Sequence, residues 1–576
     1  MANILGWFFD KVMASRWRRF REDRERPEAA QERALRGILA RNAETAFGRA
    51  HGFGALAALS GRELRRAYRA ATPIRGYDGF APEIEKMKLG ERDVLIPGTP
   101  DMFSLTSGTA ADPKFCPASR AFIRELHSQH LLWMYNAYRD RPAVNAGKYL
   151  VLASPAEMGK TAGGVPYGSM SGKQLASQSI PVRRRMASPW RAQLAAGPEE
   201  RLRTTLLFAM AREELKVFAA VNPSTLTLLA ERLDAWAETL LDQLAAGDLR
   251  LSEATDPDTA RRLRRRFKPS PSRARRLREI FKAEGGLAPG RVWPNPEMIF
   301  TWQGGAAAFF LPRVRELWGD VPMRCLGLRA SEGNFTIPLR DGDPSGVLGV
   351  GGHFMEFVPG DAENVRPDAE TLFAHELEAG KTYRLIVTTS GGFYRYDLAD
   401  LVEARGFDHN TPEVAFLRRA GAVLSATGEK VTEDQALRAM VKAGADLPLT
   451  GFTLTWELWD GLRYVLAVEL RDGEARLAEG EERVSRELRS LAGRFDAALR
   501  GANVEYRAKR GDGRIKPPRA ALLADGSYRR HRESAAAAGR PENQVKPPLL
   551  VPPPAPGRAP AADCPFLGAA RIVLEG

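Results

Sequence analysis

The stretch Phe103-Ser-Leu-Thr-Ser-Gly-Thr-Ala-Ala-Asp-Pro-Lys-Phe-Cys-Pro117 sets the hydroxyls of Ser104, Thr106, Ser107 and Thr109 around Gly108, with Lys114 a few residues on. Small residues let backbone N–H groups approach an anion closely, and hydroxyls add donors. The Lys114 ammonium has the reach to meet a polyphosphate tail. The Gly-x-x-x-x-Gly-Lys-Ser/Thr order of a Walker loop is missing, and on its own the stretch also fits an ordinary Ser/Thr-rich turn. Three later stretches add charge. Leu328-Arg-Ala-Ser-Glu-Gly333 places the Glu332 carboxylate after small residues. Tyr394-Arg-Tyr-Asp-Leu-Ala-Asp-Leu-Val402 holds Asp397 and Asp400 beyond a strand expected over Tyr383–Thr389, and Ser425-Ala-Thr-Gly-Glu-Lys-Val-Thr-Glu433 is a hinge-like polar turn with Lys430. Taken singly, each fits a surface residue. Their order is the specific feature.

The elements that must carry these residues alternate. Glu32–Phe53 reads as a helix ending in a loop, Asp93–Pro97 as a short strand, and Ala118–Tyr138 as a helix after the hydroxyl loop, whose dipole would favour an anion packed there. Lys148–Ala153 reads as a buried strand, and Gly163-Gly-Val-Pro-Tyr-Gly-Ser-Met-Ser-Gly172 as a loop of small residues. Asn222-Pro-Ser224 stops the chain before a fresh helix with Ser224 as its cap, and Val292–Gly305 runs as a strand into a glycine turn. Such alternation predicts an α/β or mixed α+β architecture. A hairpin over Phe452–Leu470 and a helix over Glu481–Leu499 follow. Beyond Lys546 the run Pro-Pro-Leu-Leu-Val-Pro-Pro-Pro reads as a disordered tail.

The 576 residues suffice for about three to four average domains, or a large domain with a smaller partner. Lys+Arg of 85 against Asp+Glu of 71 leaves 85 − 71 = +14, and Arg261–Ile280 alone, with ten basic residues and one acid, supplies +9. So concentrated a surplus would suit nucleic acid or a membrane. The segment lacks interleaved aromatics and is broken by Pro269 and Pro271, so a solvated helical insertion is the preferred reading and no nucleic-acid partner is expected. Cys116, Cys325 and Cys564 are too scattered for a disulfide framework or zinc site, which suits a reducing cytoplasm. His127 and His130 share a helix face with no third ligand nearby. The N-terminus lacks the marks of a signal peptide, and no run reaches transmembrane length. Ile4, Trp7, Phe8 and Val12 form one helix face, open to peripheral membrane contact but more commonly docked on a protein's own core.

Together the stretches resemble the Gretchen Hagen auxin-responsive family of acyl-acid amido synthetases, in a bacterial-type version. That family is a branch of the adenylate-forming superfamily. The resemblance runs from about Asn42 to Lys546 and rests on ordered motifs: Asn42…Phe47-Gly-Arg-x-His-Gly-Phe53, the hydroxyl loop, Gly164–Gly172 and Asn222-Pro-Ser224. It continues through Trp293-Pro-Asn…Gly304-Gly305, Ala330-Ser-Glu332, Met355-Glu-Phe-Val-Pro359, Tyr394-Arg-Tyr…Asp400…Gly406-Phe407, Gly428-Glu-Lys430 and Asn543-Gln-Val-Lys546.

The resemblance implies a large N-terminal adenylate-forming domain (1–427) of β-sheets flanked by helices, a smaller mobile α+β domain (428–548) and a Pro-rich tail (549–576). It implies ATP-dependent activation of a small carboxylic acid to an acyl-adenylate, then transfer to an amine, in this family usually an amino acid. ATP would be held by Thr106, Ser107, Gly108, Thr109, Lys114, Ser331, Phe354 as an adenine-stacking aromatic, and Asp400 on the ribose. Glu332 would lie at Mg²⁺, and Lys430 and Lys546 would act in catalysis. Gly168, Ser169, Met170, Gly304 and Gly305 would line the acyl pocket. There are departures: Ala110-Ala-Asp-Pro-Lys114 lacks a further glycine, Leu328 replaces an aromatic, and Asp397 and Ala399 stand for Arg and Gly. Two alternatives remain, a ligase that transfers the acyl group to coenzyme A or another thiol, and a non-catalytic basic binding protein on a degenerate ligase fold.

Overall fold

Among the described residues the first part of the chain forms eight strands: β1 (Met102–Thr106), β2 (Lys114–Ala118), β3 (Lys148–Leu152), β4 (Gly159–Lys160), β5 (Pro166–Gly168), β6 (Leu215–Ala220), β7 (Met298–Thr301) and β8 (Met323–Cys325). The computed structural model describes residues 2–106, 114–360, 365–420, 423–425, 429–457, 462–537, 545, 548–551 and 570–573, without the side chains of 2–8, Thr106, Ala306 and 570–573. Two compact units emerge, Met1–Phe416 and Leu417–Gly576.

In the large unit β3, β6, β7 and β8 pair in that order, all parallel. Parallel sheets need cover on both faces. Here Leu226, Leu229 and Leu233 from one crossover helix and Leu240 and Leu244 from the next join Phe218 and Ile299 in one core, where Trp293 stacks on Trp318. The basic segment forms two helices, Pro257–Arg266 and Pro271–Glu284, which bury Leu263, Ala274 and Leu277. Arg273 turns inward onto the Met210 and Val292 carbonyls, while Arg261, Arg262 and Arg276 are exposed and pair with Asp258 and Glu213.

A second sheet has the order β2-β1-β5-β4. The small hairpin β9 (Arg329–Ala330) and β10 (Gly333–Asn334) comes next in the chain. A seven-stranded sheet is built from β11 (Thr336–Ile337), β12 (Gly346–Leu348), β13 (Phe354–Pro359), β14 (Leu372–Phe373), β15 (Thr382–Thr388), β16 (Tyr396–Asp408) and β17 (Thr411–Arg419), ordered β11-β12-β17-β16-β15-β13-β14. Within it the quoted motifs meet for packing. Arg395 donates to Glu356 at 3.0 Å and to the Thr72 carbonyl, with both side chains of the ion pair buried. Tyr394 stacks on Phe47 and meets Phe53 edge-on. A Cβ on Gly48 would sit 1.9 Å from the Asn42 carbonyl oxygen, so only glycine lets this turn close.

Several local expectations change. The helix starting before Glu32 ends at Asn42, and Thr45 caps a separate turn, Ala46–Ala50. Asp93–Pro97 is no strand: Val94, Leu95 and Ile96 are buried, but the Asp93 and Val94 carbonyls accept from Ala46 and Phe47 rather than from a neighbouring strand. The cap before Pro223 is Asn222, which accepts from the Ser224 amide at 3.0 Å; Ser224 lies inside the helix. The first helix, Ala2–Glu25, docks through Phe9, Met13, Trp17 and Phe20, with Phe9 edge-on to Tyr135 and Tyr138. Val12 is 44% exposed and faces away. No described helix is long and apolar enough to cross a membrane.

In the small unit β18 (Val423–Leu424) pairs with β19 (Val431–Thr432). The sheet β20-β21-β22-β23 comprises β20 (Leu449–Glu457), β21 (Arg463–Leu470), β22 (Lys516–Leu523) and β23 (Ala570–Val573). The expected hairpin is the β20–β21 pair, and the crossover helix Glu481–Ala502 buries Val484, Leu488, Leu491, Phe495 and Leu499 at helical spacing. The tail reading changes at both ends. Leu549 and Val551 bond to Leu454, and β23 pairs with β22, because open strand edges there accept further backbone. Residues 552–569 lie outside the description.

Candidate active site

Strand register gathers the first group of side chains. β1 pairs antiparallel with β2, placing Thr106 opposite Lys114, and parallel with β5, placing Ser104 opposite Gly168. Ala330 and Gly333 pair across the β9–β10 hairpin, so Ser331 and Glu332 are its two-residue tip. The Ser104 and Ser331 hydroxyls hydrogen-bond at 2.9 Å. That bond ties the strand leading into the hydroxyl loop to the turn that carries Glu332. Ser107, Gly108 and Thr109 themselves lie outside the described residues.

Lys114 is positioned by Tyr77, its Nζ standing 5.1 Å from the ring centroid. The Tyr77 hydroxyl accepts from the Phe115 amide at 2.8 Å. Burial, with smaller contributions from the Cys116 thiol and the Glu85 and Glu332 carboxylates, pushes the Tyr77 phenol well above its ordinary range. It therefore stays neutral, a fixed platform for the ammonium. Nothing in the spacing around residue 77 signals this role.

Glycines make the next wall. A Cβ on Gly168 would lie 2.4 Å from the Ala156 carbonyl oxygen, and one on Gly172 would lie 2.2 Å from that of Ser154, just beyond β3. Ser169 caps the helix Met170–Ala176 and bonds Ser171 at 2.8 Å. Met170 is buried in an apolar cluster with Met102, Ala118, Phe122 and Leu126. Gly304 and Gly305 follow β7 at the carboxyl end of the parallel sheet, where open α/β sheets bind ligands. Gly305 has φ +56, a left-handed turn that suits glycine.

Beside the hairpin, Arg329 has no carboxylate partner among the described residues. Its Nη1 lies 3.3 Å from His130 Nδ1, and its guanidinium lies over Trp133. Burial pushes Arg329 down to about 10, and burial with Arg329 and His127 pushes His130 to about 3, so the imidazole is a neutral acceptor. Arg329 is not among the residues that the motifs single out. A basic residue next to the Ser-Glu pair was the available signal.

Asp400 is aimed by a bulge. Arg384 pairs with Leu401 but Ile386 with Asp397, so Leu398, Ala399 and Asp400 together oppose Leu385. Asp397 holds the bulge: it pairs with Arg384 and accepts from the Ala399 amide at 2.9 Å. Ala399 has φ +59, a conformation that costs a non-glycine residue roughly 1–2 kcal/mol. Ala399→Gly is expected to raise stability by about 0.5–1 kcal/mol after the added flexibility of the unfolded chain is subtracted. A thermal melt reading no upward shift would show the bulge to be unstrained.

Phe354 does not belong with these groups. It is 2% exposed in the core, near Tyr68 and Phe373, on a stretch of β13 where Met355, Glu356 and Phe357 are buried as well. An adenine has no access to it, and its expected stacking role is withdrawn.

In the small unit Lys430 is exposed and has φ +48. Asn503 donates to the Glu429 carbonyl at 2.9 Å, and Tyr464 and Lys509 engage the buried Glu429 carboxylate. These contacts hold the backbone at Glu429, from which the exposed Lys430 follows. Lys546 lies outside the described residues.

Comparison with known proteins adds ancestry to this geometry. Family models match at residues 16–323 (GH3 family N-terminal domain), 346–419 (central domain) and 434–555 (C-terminal domain). The chain belongs to the GH3 family. An indole-3-acetic acid-amido synthetase GH3.8 of Oryza sativa subsp. indica is 28% identical over 557 residues, covering 91% of this GH3 chain and 88% of the relative. An indole-3-acetic acid-amido synthetase GH3.2 of Arabidopsis thaliana is 26% identical over 441 residues, covering 72% and 78%. The solved GH3.15 acyl acid amido synthetase superposes with a TM-score of 0.77 at 22% identity over 92% of each chain, and its complex with 2,4-DB gives 0.77 at 23% over 93% of each. The mixed α/β fold is thus that of a GH3 protein.

Proposed function

We propose that this GH3 chain is an ATP-dependent ligase that adenylates a small carboxylic acid and passes the acyl group to an amine, an amino acid, as an amide. The observation that carries this reading is the Ser104–Ser331 bond, which joins the hydroxyl strand and Lys114 to the Glu332 turn. The amido synthetase activity of the relatives supports it. A carboxylate is a poor acyl donor because oxide would have to leave. In the first step its oxygen bonds to the α-phosphorus of ATP, and pyrophosphate departs with the electron pair. Charge builds on phosphate oxygens, where Lys114 and the loop donors can meet it. In the second step the amine nitrogen bonds to the acyl carbonyl carbon, AMP leaves, and the nitrogen loses a proton.

Mg²⁺ fits the residues present. Glu332 is 4% exposed and has no ion-pair partner among the described residues, and no three metal-ligating side chains converge among them. An ion that takes one carboxylate plus phosphate oxygens and water suits such a site. When bound, it would neutralise phosphate charge. Asp400, with two acceptor oxygens, suits the ribose hydroxyls. Asp400→Ala is expected to weaken ATP binding roughly tenfold to a hundredfold, the worth of charge-assisted hydrogen bonds. Calorimetric titration reads this; unchanged affinity with a lowered melting temperature would leave Asp400 only a bulge residue.

The small unit, expected at 428–548 and beginning at Leu417 by its compactness, is the candidate for reorientation between half-reactions; the expected hinge at Thr427-Gly428 lies outside the described residues. The described cysteines, buried free thiols, suit a cytoplasmic setting. Mass analysis after incubation with ATP, Mg²⁺, an acid panel and either amino acids or coenzyme A tests the acceptor. Amides with AMP are expected; thioester alone would overturn the amide reading.

A further inference from the structure

A cavity of about 640 Å³ opens on the large unit beside the helix Gly61–Ala71 and shares no residue with the candidate nucleotide site. Arg62, Arg65, Arg66 and Arg69 line it from one helix face, while Leu64 and Tyr68 anchor the opposite face in the core. Two of these cations are fixed. Arg65 pairs with Glu28 at 2.7 Å, Arg69 pairs with Glu356 at 3.1 Å, and both guanidiniums lie over the ring of Phe373, 4.9 and 4.2 Å from its centroid. The other two, Arg62 and Arg66, are exposed and have no hydrogen-bond or ion-pair partner among the described residues.

Arg395 also lines the cavity. It is 1% exposed, and although Nε and Nη1 are bonded, its Nη2 has no partner. A buried guanidinium N–H without an acceptor is costly, and a ligand oxygen would relieve it. The facing wall carries Asp368, Glu370 and Glu376, but Asp368 pairs with Arg366 and Glu376 accepts from the Phe373 amide. Glu28 and Glu356 already meet Arg65, Arg69 and Arg395, so the cations of this wall left without a carboxylate among the described residues are Arg62 and Arg66.

We propose that this cavity is a second anion site, taking a phosphate-bearing small molecule between the forks of Arg62 and Arg66 with Arg395 beneath. Guanidinium forks match phosphate oxygens two at a time, and repeated forks along one helix face suit a ligand with more than one anionic group. The volume is that of an ordinary small-molecule pocket.

Sodium tripolyphosphate is the probe, titrated by calorimetry in saturating ATP so that the candidate nucleotide loop is filled. Wild-type protein is expected to bind it, and Arg62→Gln/Arg66→Gln to bind at least tenfold more weakly with an unchanged melting temperature and unchanged ATP affinity. Hydrogen exchange on the wild type needs no variant: amides of residues 368–376 should slow when the probe is added. An isotherm that the double substitution leaves unchanged, absent binding, or unprotected amides would each overturn the assignment.

Discussion

Glu332→Gln is expected to slow acid-dependent adenylation by about 10²–10³-fold, the usual effect of removing one preorganised electrostatic group from a transition state. Gln keeps the shape of the side chain and removes its charge. The hairpin tip is fixed by the Ala330–Gly333 pairing and the Ser104–Ser331 bond, neither of which uses the Glu332 carboxylate. Folding should therefore survive, and the melting temperature should move little. A buried carboxylate with no cation partner among the described residues is costly unless something positive meets it in the working state. Rapid-quench measurement of AMP formation at saturating ATP checks the rate. A variant of near-wild-type rate would show Glu332 to be a packing residue of the turn.

Lys546→Ala is expected to slow acyl-adenylate formation by a similar factor, about 10²–10³-fold, while amide formation from preformed acyl-adenylate changes much less. Charge on the α-phosphate peaks as pyrophosphate leaves, and a second lysine from the small unit is needed only then. Lys430→Ala should differ, weakening nucleotide binding and so slowing both steps, because the backbone at Glu429 just before it is held by Asn503, Tyr464 and Lys509. Single-turnover assays begun from acid plus ATP, and separately from synthetic acyl-adenylate, distinguish the two lysines. Equal, near-wild-type rates for both variants in both assays would remove them from the chemistry.

Much of the fold was legible because periodicity is local. Lys148–Leu152, Thr382–Thr388 and Glu481–Ala502 form where their apolar spacing places them. Asp93–Pro97 misled because a short apolar run looks the same whether a strand or a buried loop uses it. Only tertiary partners, here Phe47 and Tyr394, decide. The motif order led to the Ser331–Glu332 tip and to Asp400, yet motif order does not separate chemistry from packing. Phe354, Arg395 and Tyr394 belong to the same ordered set and are core residues, their roles set by contacts hundreds of residues away in sequence. The Asp400 bulge and the Tyr77 platform were not legible. Each depends on strand register or on a neighbour from a distant element, which a single sequence does not carry.

The central claim is that the acid is activated on ATP before any acceptor is present. Exchange of labelled pyrophosphate into ATP tests it most directly, run with Mg²⁺ and a broad acid panel and with no amine or thiol. Exchange that depends on one class of acid, and falls with Glu332→Gln, is the predicted result. Folded protein that shows no acid-dependent exchange across the panel would contradict it.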